Sequence, residues 1–97
     1  MLIEAPYKKG DTISIKLTSG EEIVARLDEE ARDYMMLHKP MCLVMGQNGV
    51  GLAPFMMSVN PEKEKYKLLT SSVAMVSRTD DNISKTYVET TTGLKLN

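Results

Sequence analysis

Apolar residues alternate with polar ones from Thr12 onward, and this pattern constrains the fold more than any other feature of the chain. Ile13, Ile15 and Leu17 are interleaved with Ser14, Lys16 and Thr18. A period of two places the three apolar side chains on one face of a β-strand, with that face buried. Ser19-Gly20 supplies a turn, and Ile23, Ala25 and Leu27 then resume the alternation. Two half-buried strands joined by a short turn read as a hairpin.

The rest of the chain continues in the same style. Met1–Tyr7 is a lead-in whose Leu2, Ile3 and Tyr7 are placed to cover one end of a core, and Lys8-Lys9-Gly10-Asp11 is a turn that launches the first strand. Asp28–Asp33 reads as a solvated, charged connector after the second strand. Tyr34–His38 and Met41–Met45 are two pieces of one sharply bent strand, because Pro40 lacks the N–H that a sheet ladder needs. Asn48-Gly49 suits the positive φ angles of a hairpin turn. The next strand is expected over Val50–Val59, interrupted at Pro54, and the mixed-charge run Asn60–Lys65 is expected to be an exposed loop. Tyr66–Leu69 and Val73–Val76 supply the last strand or pair of strands, separated by Thr70-Ser71-Ser72.

Beyond Arg78, Asp80 or Asp81 can cap a helix by accepting its free N–H groups. Ile83, Tyr87, Val88 and Thr91 fall on one face of that helix, and Gly93 is a natural stop. The fold class is mostly β: one domain over residues 1–97, with five or so short bent strands forming a small open barrel at about 10–77 and a C-terminal helix at about 80–92.

Composition narrows the function classes. A net charge of −1 over 97 residues excludes binding of nucleic acid by bulk positive charge, although a locally basic face is compatible with it. Cys42 is the single cysteine and sits in the apolar run Met41–Met45. It has no intramolecular partner for a disulfide, and its setting points to a buried thiol in a reducing compartment. The longest apolar runs stop far short of the ~20 residues of a membrane span. Glu4 and Pro6 stand where a secretory leader would have its apolar core. A soluble cytoplasmic protein with no membrane role is expected.

At this point the chain resembles the Sm-like family, which includes the Sm and Lsm proteins and the bacterial Hfq branch, over roughly residues 10–77. Ile13–Gly20 matches the opening of that family's first motif, Glu22–Leu27 its second strand, and Tyr34 and Met35 its aromatic and methionine. Tyr66-Lys67 matches the start of the Hfq-branch second motif. Three positions depart from the pattern: Arg32 replaces an aspartate, Met36 an asparagine that bonds a base, and Leu68 a histidine. The resemblance implies a ring closed by strand-edge pairing between subunits and a site for single-stranded RNA. An open barrel independently leaves strand edges that must be covered or paired, and eight methionines provide adaptable contact surface. A homo-oligomer is therefore expected.

Enzymatic chemistry finds little support. His38 has no neighbour in the sequence to orient it as a base and reads as a strand-bend or surface residue. Gly46, Gly49 and Gly51 are not followed by a helix, so they suit hairpin turns better than phosphate binding. The acidic runs Glu21-Glu22 and Asp28-Glu29-Glu30 lack the interleaved spacing of a metal loop. No catalytic residue, cofactor or metal is expected. For single-stranded RNA, Tyr34 and Tyr66 are candidate stacking platforms, Arg32, Lys39 and Lys67 candidate phosphate contacts, and Met36 occupies the base-reading position. The alternative is a structural scaffold or adaptor that engages a protein partner and has no nucleic-acid role.

Overall fold

Two turns of opposite purpose frame the first hairpin: one brings the chain into β1 (Thr12–Leu17), the other, with Gly20 at φ 107°, returns it along β2 (Glu22–Glu30). The strands pair antiparallel with Ile15 opposite Ile23 and Ile13 opposite Ala25, so both apolar rows share a face. A computed structural model describes residues 7–94, and the expected roles of Leu2 and Ile3 lie outside them. The second strand runs further than its apolar pattern suggested. Asp28, Glu29 and Glu30 belong to β2, because Glu29 and Glu30 pair with Met36 and Met35 of the following strand. Only 31–33 remain as the connector.

β3 (Tyr34–Gly46) is a single strand of 13 residues that carries two different partners on its outer edge. Its first half pairs with β5 (Tyr66–Leu69) and its second half with β4 (Gly49–Pro54), while β2 occupies its other edge. The expected bend falls at Lys39, whose φ of 46° is the only positive value at a non-glycine among the described residues. Opposite it, β2 shifts register between Val24 and Arg26 and again between Leu27 and Glu29. Such irregularities add local twist and let paired strands curl.

Pro54 ends β4, so the expected strand to Val59 becomes a loop over 55–65 and the outer strand is split in two. The count reaches six because Tyr66–Leu69 and the segment from Val73 form a pair of strands, separated at Thr70–Ser72. A 3-10 turn at Thr70–Ser72 then leads into β6 (Val73–Arg78), which pairs with β1. The sheet runs β4–β3–β2–β1–β6 with β5 on β3, and it is not closed by strand pairing. At the open corner, the Thr70 N–H donates to the Asp33 carbonyl at 3.0 Å and the Thr18 N–H to the Ser72 carbonyl at 2.8 Å.

One face of the sheet carries the main core of Ile13, Ile15, Leu17, Ile23, Ala25, Leu27, Met35 and Leu37. Each large aliphatic side chain buried there contributes about 1.5–3 kcal/mol. Cys42 is half-buried at the margin of this core and is a free thiol. The other face of β2 and β3 is covered by α1 (Asp81–Thr92), through Val24, Met41 and Tyr87. β2 is thus buried on both faces, as the consecutive run Ile23-Val24-Ala25 requires.

The helix begins and ends where its sequence signals stand. The Asp80 carboxylate accepts from the N–H groups of Asn82 at 3.0 Å and Ile83 at 3.4 Å, and Gly93 adopts φ 76° to stop the last turn. Its threonines satisfy themselves locally: Thr86, Thr91 and Thr92 donate to the carbonyls of Asn82, Tyr87 and Val88, four residues back. No helix among the described residues is long and apolar enough to cross a membrane.

Candidate nucleic-acid interface

Strand alternation decides which candidate residues meet. Met35 and Leu37 of β3, with Leu68 and Tyr66 opposite them on β5, face the core. Tyr34 and Met36, with Leu69 and Lys67 opposite, therefore face outward. The Lys67 ammonium lies 4.6 Å from the centroid of the Tyr34 ring, a cation–π contact. Arg32 is exposed in the adjoining turn, and its carbonyl accepts from the Thr70 hydroxyl at 3.4 Å. The turn at 31–33 and the 3-10 turn at Thr70–Ser72 are thereby tied side by side. Arg32, Tyr34, Met36 and Lys67 thus gather at one end of the β3–β5 ladder. Leu69, half-exposed at 54 %, extends the apolar part of this surface. Its place was concealed in the sequence because it depends on which strand β5 joins.

Lys39 and Tyr66 are elsewhere. Adjacent residues of a strand point to opposite faces, so Lys67 pointing outward forces Tyr66 inward, where it packs against the core. Tyr66 also lines a cleft of about 300 Å³ with Lys39, Pro61, Glu62 and Thr91. The Lys39 ammonium donates to the Thr91 carbonyl at 2.8 Å and pairs with Glu62 at 3.1 Å. It holds the end of α1 and the 55–65 loop against the bend of β3. A cation engaged in this way joins three elements, and it stands apart from the Tyr34 surface.

Two titratable groups are perturbed around the bend. Asp28 accepts from Lys65 at 3.1 Å and is bonded to His38 at 3.0 Å, with Lys9 at 3.7 Å. The hydrogen bond from Lys65, then that from His38, holds its carboxyl below the ordinary carboxylate range. His38, which reads as an isolated bend residue in the sequence, is thus paired with a carboxylate on the neighbouring strand. Burial pushes the Tyr87 hydroxyl up to about 12, although the Arg26 N–H donates to it. Among the described residues, no group of three or more His, Cys, Asp or Glu side chains converges to hold a metal ion.

The Tyr34 surface is not uniformly positive. Glu29 stands opposite Met36 in the register, and Glu30 and Asp33 are exposed nearby. The arrangement provides an aromatic face, a cation over it and flexible apolar side chains beside it, bordered by carboxylates. No family model matches the chain, and no curated protein matches it.

Proposed function

We propose that this chain is a non-enzymatic Sm-like module that assembles with copies of itself through its sheet edges and binds single-stranded RNA on the outward Tyr34–Lys67 face. The observation that carries the ligand is the Lys67 ammonium 4.6 Å from the Tyr34 ring. Base stacking on an aromatic ring combined with an adjacent cation for phosphate is the usual chemistry of single-strand binding. Resemblance in the first motif and in Tyr66-Lys67 supports the same reading. In it, the curled sheet is an open barrel whose gap between β5 and β6 is spanned by the 3-10 turn.

Assembly is supported by the ends of the sheet. β4 and β6 terminate the strand order, and each offers one backbone edge with no partner strand among the described residues. Both carry exposed apolar side chains, Val50 at 51 % and Met75 at 72 %. Pairing one edge with the other on a neighbouring copy is heterologous and generates a ring when the rotation closes. Repetition around a ring multiplies a weak single site by avidity.

A scaffold that binds a protein partner is the second reading, favoured by Glu29, Glu30 and Asp33 at the border of the patch, which repel phosphate. Light scattering with titration of oligo-U and oligo-A at low and moderate salt tests both parts. The expected result is a homo-oligomer with salt-sensitive binding at micromolar protein. A strict monomer would overturn the assembly, and absence of binding to either oligonucleotide would overturn the RNA reading in favour of the scaffold.

A further inference from the structure

The helix-covered face of the sheet carries a second cluster of cations, unrelated to the Tyr34 surface. The register places Thr12, Arg26 and His38 in one row across β1, β2 and β3. Cross-strand neighbours on one face stand about 5 Å apart, within reach of a single small ligand. Two adjoining clefts of about 140 Å³ and 270 Å³ share Gly10, Arg26 and His38. The wall of the smaller is α1, through Tyr87, Thr91 and Thr92, and Lys9 and Asp28 line the larger.

Charge and rigidity at this place both suit an anion. Among the described residues no carboxylate pairs with the Arg26 guanidinium. The Asp28 carboxylate is already shared among Lys9, Lys65 and His38. Three permanent cations, Lys9, Arg26 and Lys65, therefore face one carboxylate, leaving a surplus of positive charge on a chain whose net charge is −1. The floor is held in shape, because the Tyr87 hydroxyl accepts from the Arg26 N–H at 3.1 Å and lies 2.8 Å from the His38 carbonyl. His38 is held from its ring as well, by Asp28.

We infer that the Arg26 cleft binds a phosphate group, with the Arg26 guanidinium as its forked donor, Lys9 as the second cation and the Thr12 hydroxyl beside them. A guanidinium matches two phosphate oxygens at once, which a lone ammonium does not. The phosphate belongs either to a nucleic-acid backbone or to a free phosphorylated solute. Arg26 and its row lie apart from the Tyr34–Lys67 face, so this site does not depend on RNA binding there.

The test titrates the full chain with inorganic phosphate to ~20 mM at constant ionic strength, with chloride as control, and follows backbone amide resonances. Saturable shifts are expected at Gly10, Thr12 and Thr92. Arg26→Gln should weaken phosphate binding about tenfold or more, and Arg26→Lys, which keeps the charge and loses the fork, should lie between. No saturable shift in the natural chain, or equal affinity in Arg26→Gln with its circular dichroism intact, would overturn the site. A second arm compares the salt dependence of oligo-U binding. A slope reduced by ~0.7 in Arg26→Gln assigns the phosphate to a single strand, and an unchanged slope assigns it to a free solute. Loss of oligo-U binding in the natural chain, with the phosphate shifts retained, would defeat the RNA reading and leave this site standing.

Discussion

Tyr87→Phe removes one oxygen from the place where the helix meets the bent sheet. That hydroxyl accepts from the Arg26 N–H at 3.1 Å and faces the carbonyls of His38 at 2.8 Å and Lys39 at 3.0 Å. A phenol has one proton, so it donates to one carbonyl at a time while accepting from Arg26. These backbone groups lie where the register of β2 shifts and β3 bends, so the ladder does not pair them in the regular way. Phenylalanine keeps the ring packing of a residue only 3 % exposed and strands the Arg26 donor. The expected loss is about 1–3 kcal/mol, or roughly 4–24 °C in melting temperature for a domain of this size. Tyr87→Ala also removes the ring, which by itself costs about 3–5 kcal/mol and approaches the whole stability of a small domain.

Alkaline pH gives the same substitution an independent signature. The Tyr87 hydroxyl is raised to about 12 by burial, above its unfolded value, so its contribution is complete below pH ~10 and lost as pH rises through about 12. Near pH 11 the natural protein should have lost about 1.4 kcal/mol relative to Tyr87→Phe, narrowing the gap between them. Urea unfolding of both proteins at about pH 8 and about pH 11 measures this directly. A gap below ~0.5 kcal/mol at the lower pH, or one that does not narrow at the higher, would refute the role given to the hydroxyl.

Asp28 titrates with the opposite sign. Its depressed folded value means that its stabilisation is present above the unfolded carboxylate range, at about pH 4, and is lost as pH falls through the folded value, so urea melts across acid pH should show a shallower loss for Asp28→Asn than for the natural protein. Tyr34→Ala should weaken oligo-U binding by about 1–3 kcal/mol per stacked base without changing the oligomer mass, and unchanged affinity would clear Tyr34 of that role. Met75→Glu places a charge on the exposed β6 edge strand and should lower the mass seen by light scattering; an unchanged mass would show that this edge is not in the contact.

Local periodicity and punctuation determined a good part of this protein without reference to anything distant. The alternation Ile13-Ile15-Leu17 against Ile23-Ala25-Leu27 specifies the hairpin and its buried face, because side-chain direction in a strand follows from position along it. Asp80, the Ile83-Tyr87-Val88 stripe and Gly93 likewise delimit the helix, since each acts on backbone groups within a turn or two. Pro40 marks the neighbourhood of the bend in β3, though the backbone departure itself falls on Lys39.

What only the tertiary structure decided is everything that depends on pairing between segments far apart in sequence. Pro54 ends a strand because the chain can leave the edge of β3 there and return as β5. Asp28–Glu30, polar enough to read as a loop, become strand because β3 supplies their partners. Tyr66 and Lys67, adjacent in the chain, are sent to opposite faces, so only Lys67 reaches Tyr34. Arg26 and His38 are paired between two register shifts, which no spacing in the sequence encodes. Hydrophobic period gives each strand its inner face locally, whereas register and bulges are settled by the fit of all strands around a shared core.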